Sequence, residues 1–154
     1  MIKSLKLEQS VLGCMILNNN CALDYALLSE EDFTEPMNKE IFKGIAALVF
    51  KGKPVDYLTI YEETNHKADI KYMTDLVSGI PTTTSFKHYV EQLKDITLKR
   101  KMNSLIDKLR NSELSGKEAI ELAEKEIFEL REKANTSDFK HVREIIVDVH
   151  ENMH

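Results

Sequence analysis

Apolar residues recur at intervals of three and four from Leu5 onward, the spacing of a single helix face, and predict a succession of helices. In the first, Leu5, Leu12 and Ile16 combine with Leu7, Val11, Cys14 and Met15, and Asn18-Asn19-Asn20 ends it. A short helix follows around 22–28. Ser29-Glu30-Glu31-Asp32 has the Ser-x-x-acid pattern of a capping box and starts another turn. Pro36 precedes a stronger helix, about 38–50, with Ile41, Ile45, Leu48 and Val49 on one face, and Lys51-Gly52-Lys53-Pro54 stops it. Asp56 is placed to cap a short helix carrying Leu58, Ile60 and Tyr61. Ile70, Met73, Leu76 and Val77 mark one more, closed by Ser78-Gly79-Ile80-Pro81. Residues 1–84 therefore read as a helical globular head, small but able to fold around one core.

After Thr82-Thr83-Thr84-Ser85 the elements lengthen. A helix is predicted over 86–109, free of Gly and Pro, with apolar residues at Phe86, Val90, Leu93, Ile96, Leu98, Met102, Leu105 and Leu109. Ser115-Gly116-Lys117-Glu118 is a second capping box, opening a helix to about 134 in which Ile120, Ala123, Ile127, Leu130 and Ala134 alternate three and four apart, a heptad seam. Two long helices joined by a short turn form an antiparallel hairpin, assigned to 85–135. Tyr89 and Ile106 widen its stripe beyond one seam, so either a second hairpin covers the surplus, as in a four-helix bundle of two chains, or the chain's own head does. The side chains expected at the interface between copies are Val90, Leu93, Met102, Leu105 and Ile106 on the first helix and Ile120, Ile127 and Leu130 on the second, some of which must serve the seam within the chain. Asn135-Thr136-Ser137-Asp138 reads as a polar break before a linker, 136–154, whose short amphipathic helix presents Val142, Ile145, Ile146 and Val149 for docking on a partner.

Composition narrows the class. With 42% hydrophobic and 31% charged residues, five Gly and three Pro in 154 residues, the chain has too few turn formers for an all-β fold and is read as all-α. Its net charge of −5 disfavours non-specific duplex binding, which depends on neutralising phosphates with Lys and Arg. Cys14 lies in an apolar stripe and neither it nor Cys21 has a metal-binding spacing, so both read as reduced thiols of a cytoplasmic protein. The longest apolar run is too short to span a bilayer and no leader-like segment opens the chain.

Two patterns could carry chemistry. His150-Glu151-Asn152-Met153-His154 fits H-E-x-x-H, in which two imidazoles one helical turn apart hold zinc and the Glu acts as base. A catalytic zinc needs a third protein ligand, and none follows His154, so a zinc hydrolase ranks last and no metal is expected. Lys99-Arg100-Lys101 is basic but lacks interleaved aromatics for stacking bases; the acids Glu121, Glu124, Glu126 and Glu129 of the second hairpin helix are its expected partners, and little direct DNA binding is expected. His66, His88 and His141 read as surface residues.

One resemblance spans most of the chain. Residues 7–19, LEQSVLGCMILNN, resemble the opening helix of the N-terminal domain of DnaB-type replicative helicases, bacterial or phage. Asp32-Phe33 with Pro36 and Ile41-Phe42, Gly52-Lys53-Pro54-Val55-Asp56 with Leu58-Thr59, residues 73–83, and His88-Tyr89 with Lys99-Arg100 resemble later phrases of that family in the same order. This chain carries Asn38 where many members have His, and lacks a Gly-rich stretch around 65–69. The resemblance implies a non-catalytic collar that pairs subunits through the hairpin into a trimer of dimers, docks primase and in some systems a loader, and passes through a linker helix to a motor. No Gly-x-x-x-x-Gly-Lys-Ser/Thr phosphate loop is present, so ATP and Mg are expected only in a motor domain beyond an excised fragment. The alternative is a free-standing helical adaptor or loader-like replication protein without a motor.

Overall fold

The computed structural model describes the backbone of residues 4–152 and the side chains of residues 4–134. The described residues are helical and contain no strand, as the all-α reading requires. α1 (Leu5–Leu17) and α2 (Asn19–Ala22) lead into two 3-10 turns, Leu23–Leu27 and Glu30–Asp32. α3 (Pro36–Phe50), α4 (Tyr57–Glu63) and α5 (Ile70–Ser78) follow, then the long α6 (Phe86–Asn111) and α7 (Gly116–Asn152).

The local stop and start chemistry works as the residues dictate. Pro36 occupies the first turn of α3, where its missing N–H costs nothing. Gly52 takes the left-handed conformation (φ +70) just past that helix, and the Lys53 N–H reaches back to the Leu48 carbonyl at 2.8 Å. Asp56 accepts the Thr59 N–H at 2.8 Å, and Asp69 accepts that of Tyr72 at 2.8 Å.

The chain divides into two compact units, Met1–Arg100 and Lys101–His154. The boundary read from the sequence at 84/85 falls just before α6, whose first four turns lie within the first of these units. Within it α1 packs on α3 and α5, and α3 on α4. Leu12, Met15, Phe33, Ile41, Ile45, Leu48, Ile60 and Met73 are fully enclosed, each contributing about 1.5–3 kcal/mol of burial. Phe86, Val90 and Leu93 of α6 join this core. Gly13 allows a close approach, since a Cβ there would stand 2.9 Å from the Leu76 carbonyl oxygen and 2.6 Å from Ile80 Cγ1.

The head also encloses polar groups that fasten its segments. Glu8 is fully buried. Its Oε1 accepts from the Thr34 N–H (2.9 Å), the Asn38 amide (3.2 Å) and the Glu35 N–H (3.3 Å), and its Oε2 from the Ser4 and Thr34 hydroxyls. Burial alone would raise this carboxyl's pKa; the hydrogen bonds from Ser4, Thr34 and Asn38 outweigh it and hold the pKa below the ordinary carboxylate value. Asn38 is itself buried and accepts from the Tyr72 hydroxyl at 2.7 Å, so the residue at this position is an internal strut between α3 and α5. Asp32, also fully buried, caps its own turn through the Ser29 N–H (2.9 Å) and receives Lys94 Nζ (3.0 Å) and the Thr97 hydroxyl (2.6 Å) from α6.

Candidate functional site

The second unit begins in the last turns of α6, reverses over Ser112–Ser115 and continues in α7. Ser115 starts α7 as its sequence predicts: its Oγ accepts the Glu118 N–H at 3.2 Å and donates to the Glu118 carboxylate at 3.0 Å. Across the hairpin Lys108 pairs with Glu126 at 2.9 Å. Lys108 lies outside the basic cluster read from the sequence; of that cluster, Lys99 pairs with Asp95 on its own helix and Arg100 turns into the head, donating to Ser4 Oγ and the Glu31 carbonyl, so neither meets the acids of α7 as expected.

The eight interface candidates separate into three groups. Val90 and Leu93 are lost to the head core, so they are withdrawn as interface residues; a stripe at helical spacing does not reveal which body it serves. Leu105 is buried as well, at 5% exposure, and Leu130 is half-buried. Met102 (38%), Ile106 (44%), Ile120 (60%) and Ile127 (37%) remain open. Met102 and Ile106 are four apart and share one face of α6; Ile120 and Ile127 are seven apart and share one face of α7. Of the heptad positions read in α7, Ala123, Leu130 and Ala134 are half-buried while Ile120 and Ile127 are exposed, and Leu122 and Glu126, outside that reading, are half-buried as well. Phe128, at 63% exposure, is a further open apolar side chain that seam counting passes over, about 100° around the helix from Ile127.

The break expected at Asn135–Asp138 does not interrupt the backbone, since α7 runs on to Asn152. Those four residues include no Gly or Pro, and their helix propensities cost only a few tenths of a kcal/mol each. Val142, Ile145, Ile146 and Val149, and the His150-Glu151-His154 pattern, lie outside the described side chains. Among the described residues no group of three or more His, Cys, Asp or Glu could hold a metal, and no helix is long and apolar enough to cross a membrane. Cys14 and Cys21 are buried free thiols; burial first, and then its neighbour Cys21, push the Cys14 thiol up to about 11.

The family model described as DnaB-like helicase N terminal domain matches residues 1–95. The chain belongs to this family. Among full-length relatives of this DnaB-like domain, the replicative DNA helicase DnaC of Bacillus subtilis (strain 168) is 24% identical over 162 residues, covering 98% of this chain and 36% of that protein. The replicative DNA helicase DnaB of Buchnera aphidicola (subsp. Baizongia pistaciae, strain Bp) is 29% identical over 114 residues, covering 69% and 24%. The chain thus spans about a third or less of the length of these relatives. The crystal structure of the N-terminal domain of DnaB helicase from Mycobacterium tuberculosis matches with a TM-score of 0.72 at 26% identity, over 81% of this chain and 96% of that one. A structure described as a DnaB-like replicative helicase and its interactions with primase matches at 0.68 and 22% identity, over 89% and 34%, and shares the fold.

Proposed function

We propose that this DnaB-like domain is the non-catalytic assembly and docking part of a replicative DNA helicase in the cytoplasm. Its hairpin pairs with that of a second copy, and the paired domains build the collar of a ring as a trimer of dimers. Primase, and in some systems a loader, docks on the same tier. Strand separation, ATP and Mg2+ belong to a motor elsewhere in the parent protein, because these 154 residues have no phosphate-loop sequence. The helix bearing Val142, Ile145, Ile146 and Val149 serves as the connection that docks on a neighbouring subunit.

The observation that carries this reading is the set of open apolar side chains on the hairpin, Met102, Ile106, Ile120 and Ile127, in a chain whose first 95 residues match the family. An adaptor that never had a motor would share the fold but would not need to be joined to one. Light scattering of the chain and of Ile106→Glu, with purified primase added to each, tests the reading. A self-associated wild type that binds primase, and a folded variant that is monomeric, support it. A wild type that neither self-associates nor binds primase overturns it.

A further inference from the structure

The contacts that hold α6 in the head change character partway along the helix. Its first turns are fixed by apolar burial at Phe86, Val90 and Leu93. Among the described residues, Leu93 is the last α6 side chain in the head's apolar core. The next inward position is Thr97, at 4% exposure, and from there attachment is polar. Lys94 and Thr97 converge on the enclosed Asp32 carboxylate, at 3.0 Å on Oδ2 and 2.6 Å on Oδ1. Arg100 spans three acceptors: Ser4 Oγ (3.1 Å), the Glu31 carbonyl (3.1 Å) and Thr97 Oγ1 (3.2 Å). Ser4 also donates to Glu8, so the Arg100 guanidinium is tied to the start of α1.

We propose that Asp32, with Lys94, Thr97 and Arg100, is a releasable polar latch holding the last head turns of α6, hinged on the apolar anchor Phe86–Val90–Leu93. The two halves of the attachment answer to different conditions. Apolar burial is non-directional and yields gradually, whereas a buried carboxylate is held only while its donors stay in place. Opening the latch exposes Asp32, Lys94 and Arg100 to water, which solvates all three, while leaving the anchor buried. The stretch that lets go, residues 94–100, is the one that continues without a Gly or Pro into the second unit. This makes it a place where a partner that competes for Arg100 or Lys94, such as an acidic segment, could loosen the exit of α6 without unfolding the head.

The test uses spin labels on the full chain at exposed positions within the first unit. Lys43→Cys with Lys99→Cys reports the latch, and Lys43→Cys with Lys87→Cys reports the anchor; the native thiols are buried and remain unlabelled. With the labelled chain diluted in an excess of unlabelled chain, so that distances between copies do not contribute, each pair should give one narrow distance distribution. Asp32→Asn should add a second, broader population to the 43–99 pair and leave the 43–87 pair unchanged. Thr97→Val, which keeps the side chain's shape and removes the hydroxyl, should do the same and decides the matter should Asp32→Asn fail to fold. A 43–99 distribution that stays single and narrow overturns the latch. So does equal broadening of both pairs, which would mean that the cluster only supports the head as a whole.

Discussion

Replacement of Glu8 separates two roles that a buried carboxylate can play. Oε1 faces three N–H donors, from Thr34, Glu35 and Asn38, whose direction is fixed by backbone or amide geometry. Oε2 faces two hydroxyls, of Ser4 and Thr34, which can rotate to accept instead of donate. Glu8→Gln can therefore keep its amide oxygen on the N–H side and turn its NH2 toward the hydroxyls. It loses the charge assistance of these bonds, a cost of about 1–3 kcal/mol for neighbouring bonds that do not add. Glu8→Ala strands all five donors in a closed site and leaves a cavity, which costs about 3–5 kcal/mol. Because the folded pKa lies below the unfolded one, the carboxylate's contribution is fully present above the unfolded value and is lost as pH falls through the folded value. Urea unfolding followed by circular dichroism at neutral pH and at pH values below the ordinary Glu range should rank the proteins wild type, Gln, Ala at neutral pH. The gap between wild type and Gln should then shrink in acid. Equal losses for Gln and Ala, or a gap that does not narrow with acidification, would refute this account of the network.

Other expectations follow from single contacts. Gly13→Ala gains about 0.5–1 kcal/mol of helix propensity but forces a Cβ against the Leu76 carbonyl and Ile80; thermal melts should show a net loss of about 1–2 kcal/mol. Cys14 should resist alkylation in the native protein at neutral pH, since its thiol is buried with a pKa near 11, and react once denaturant opens the head; rapid native labelling would contradict the packing around α1 and α2. Leu105→Glu and Ile106→Glu should differ. The first places a charge at a buried position and should lower hairpin stability by several kcal/mol, while the second, at an open position, should leave the melt within about 0.5 kcal/mol and act on association alone.

The head's helices and their ends were legible because the signals are local. Pro36, Gly52 and Asp56 act within four residues of themselves, and the apolar spacing of α1, α3 and α5 is that of the face each buries, apart from Leu5, which is exposed. The buried polar residues were harder to read. Glu8 passes for an ordinary acid in a first helical turn, yet it lies four residues before Leu12 and seven before Met15, on the buried stripe, and that position was the available signal. Asp32 reads as a local cap, which it is; nothing nearby in sequence announces Lys94 and Thr97, more than sixty residues away. In α6 and α7 periodicity identified apolar stripes but not their destinations. Val90 and Leu93 continue smoothly toward Leu105 in spacing, so sequence alone joined residues that the fold divides between head and hairpin. In α7 the residues Ile120 and Ile127 compete with Leu122, Ala123 and Leu130 for the seam, and only three-dimensional packing decides which ones stay open.

The central claim, that this DnaB-like domain assembles through the open apolar side chains of its hairpin, is tested most directly by sedimentation equilibrium from low to high micromolar concentration. The account predicts reversible association to dimer or higher for the unmodified chain. Ile106→Glu should weaken it at least tenfold, about 1.4 kcal/mol, with an unchanged circular dichroism spectrum. A chain that stays monomeric throughout, or a variant that associates as tightly as the original, would contradict it.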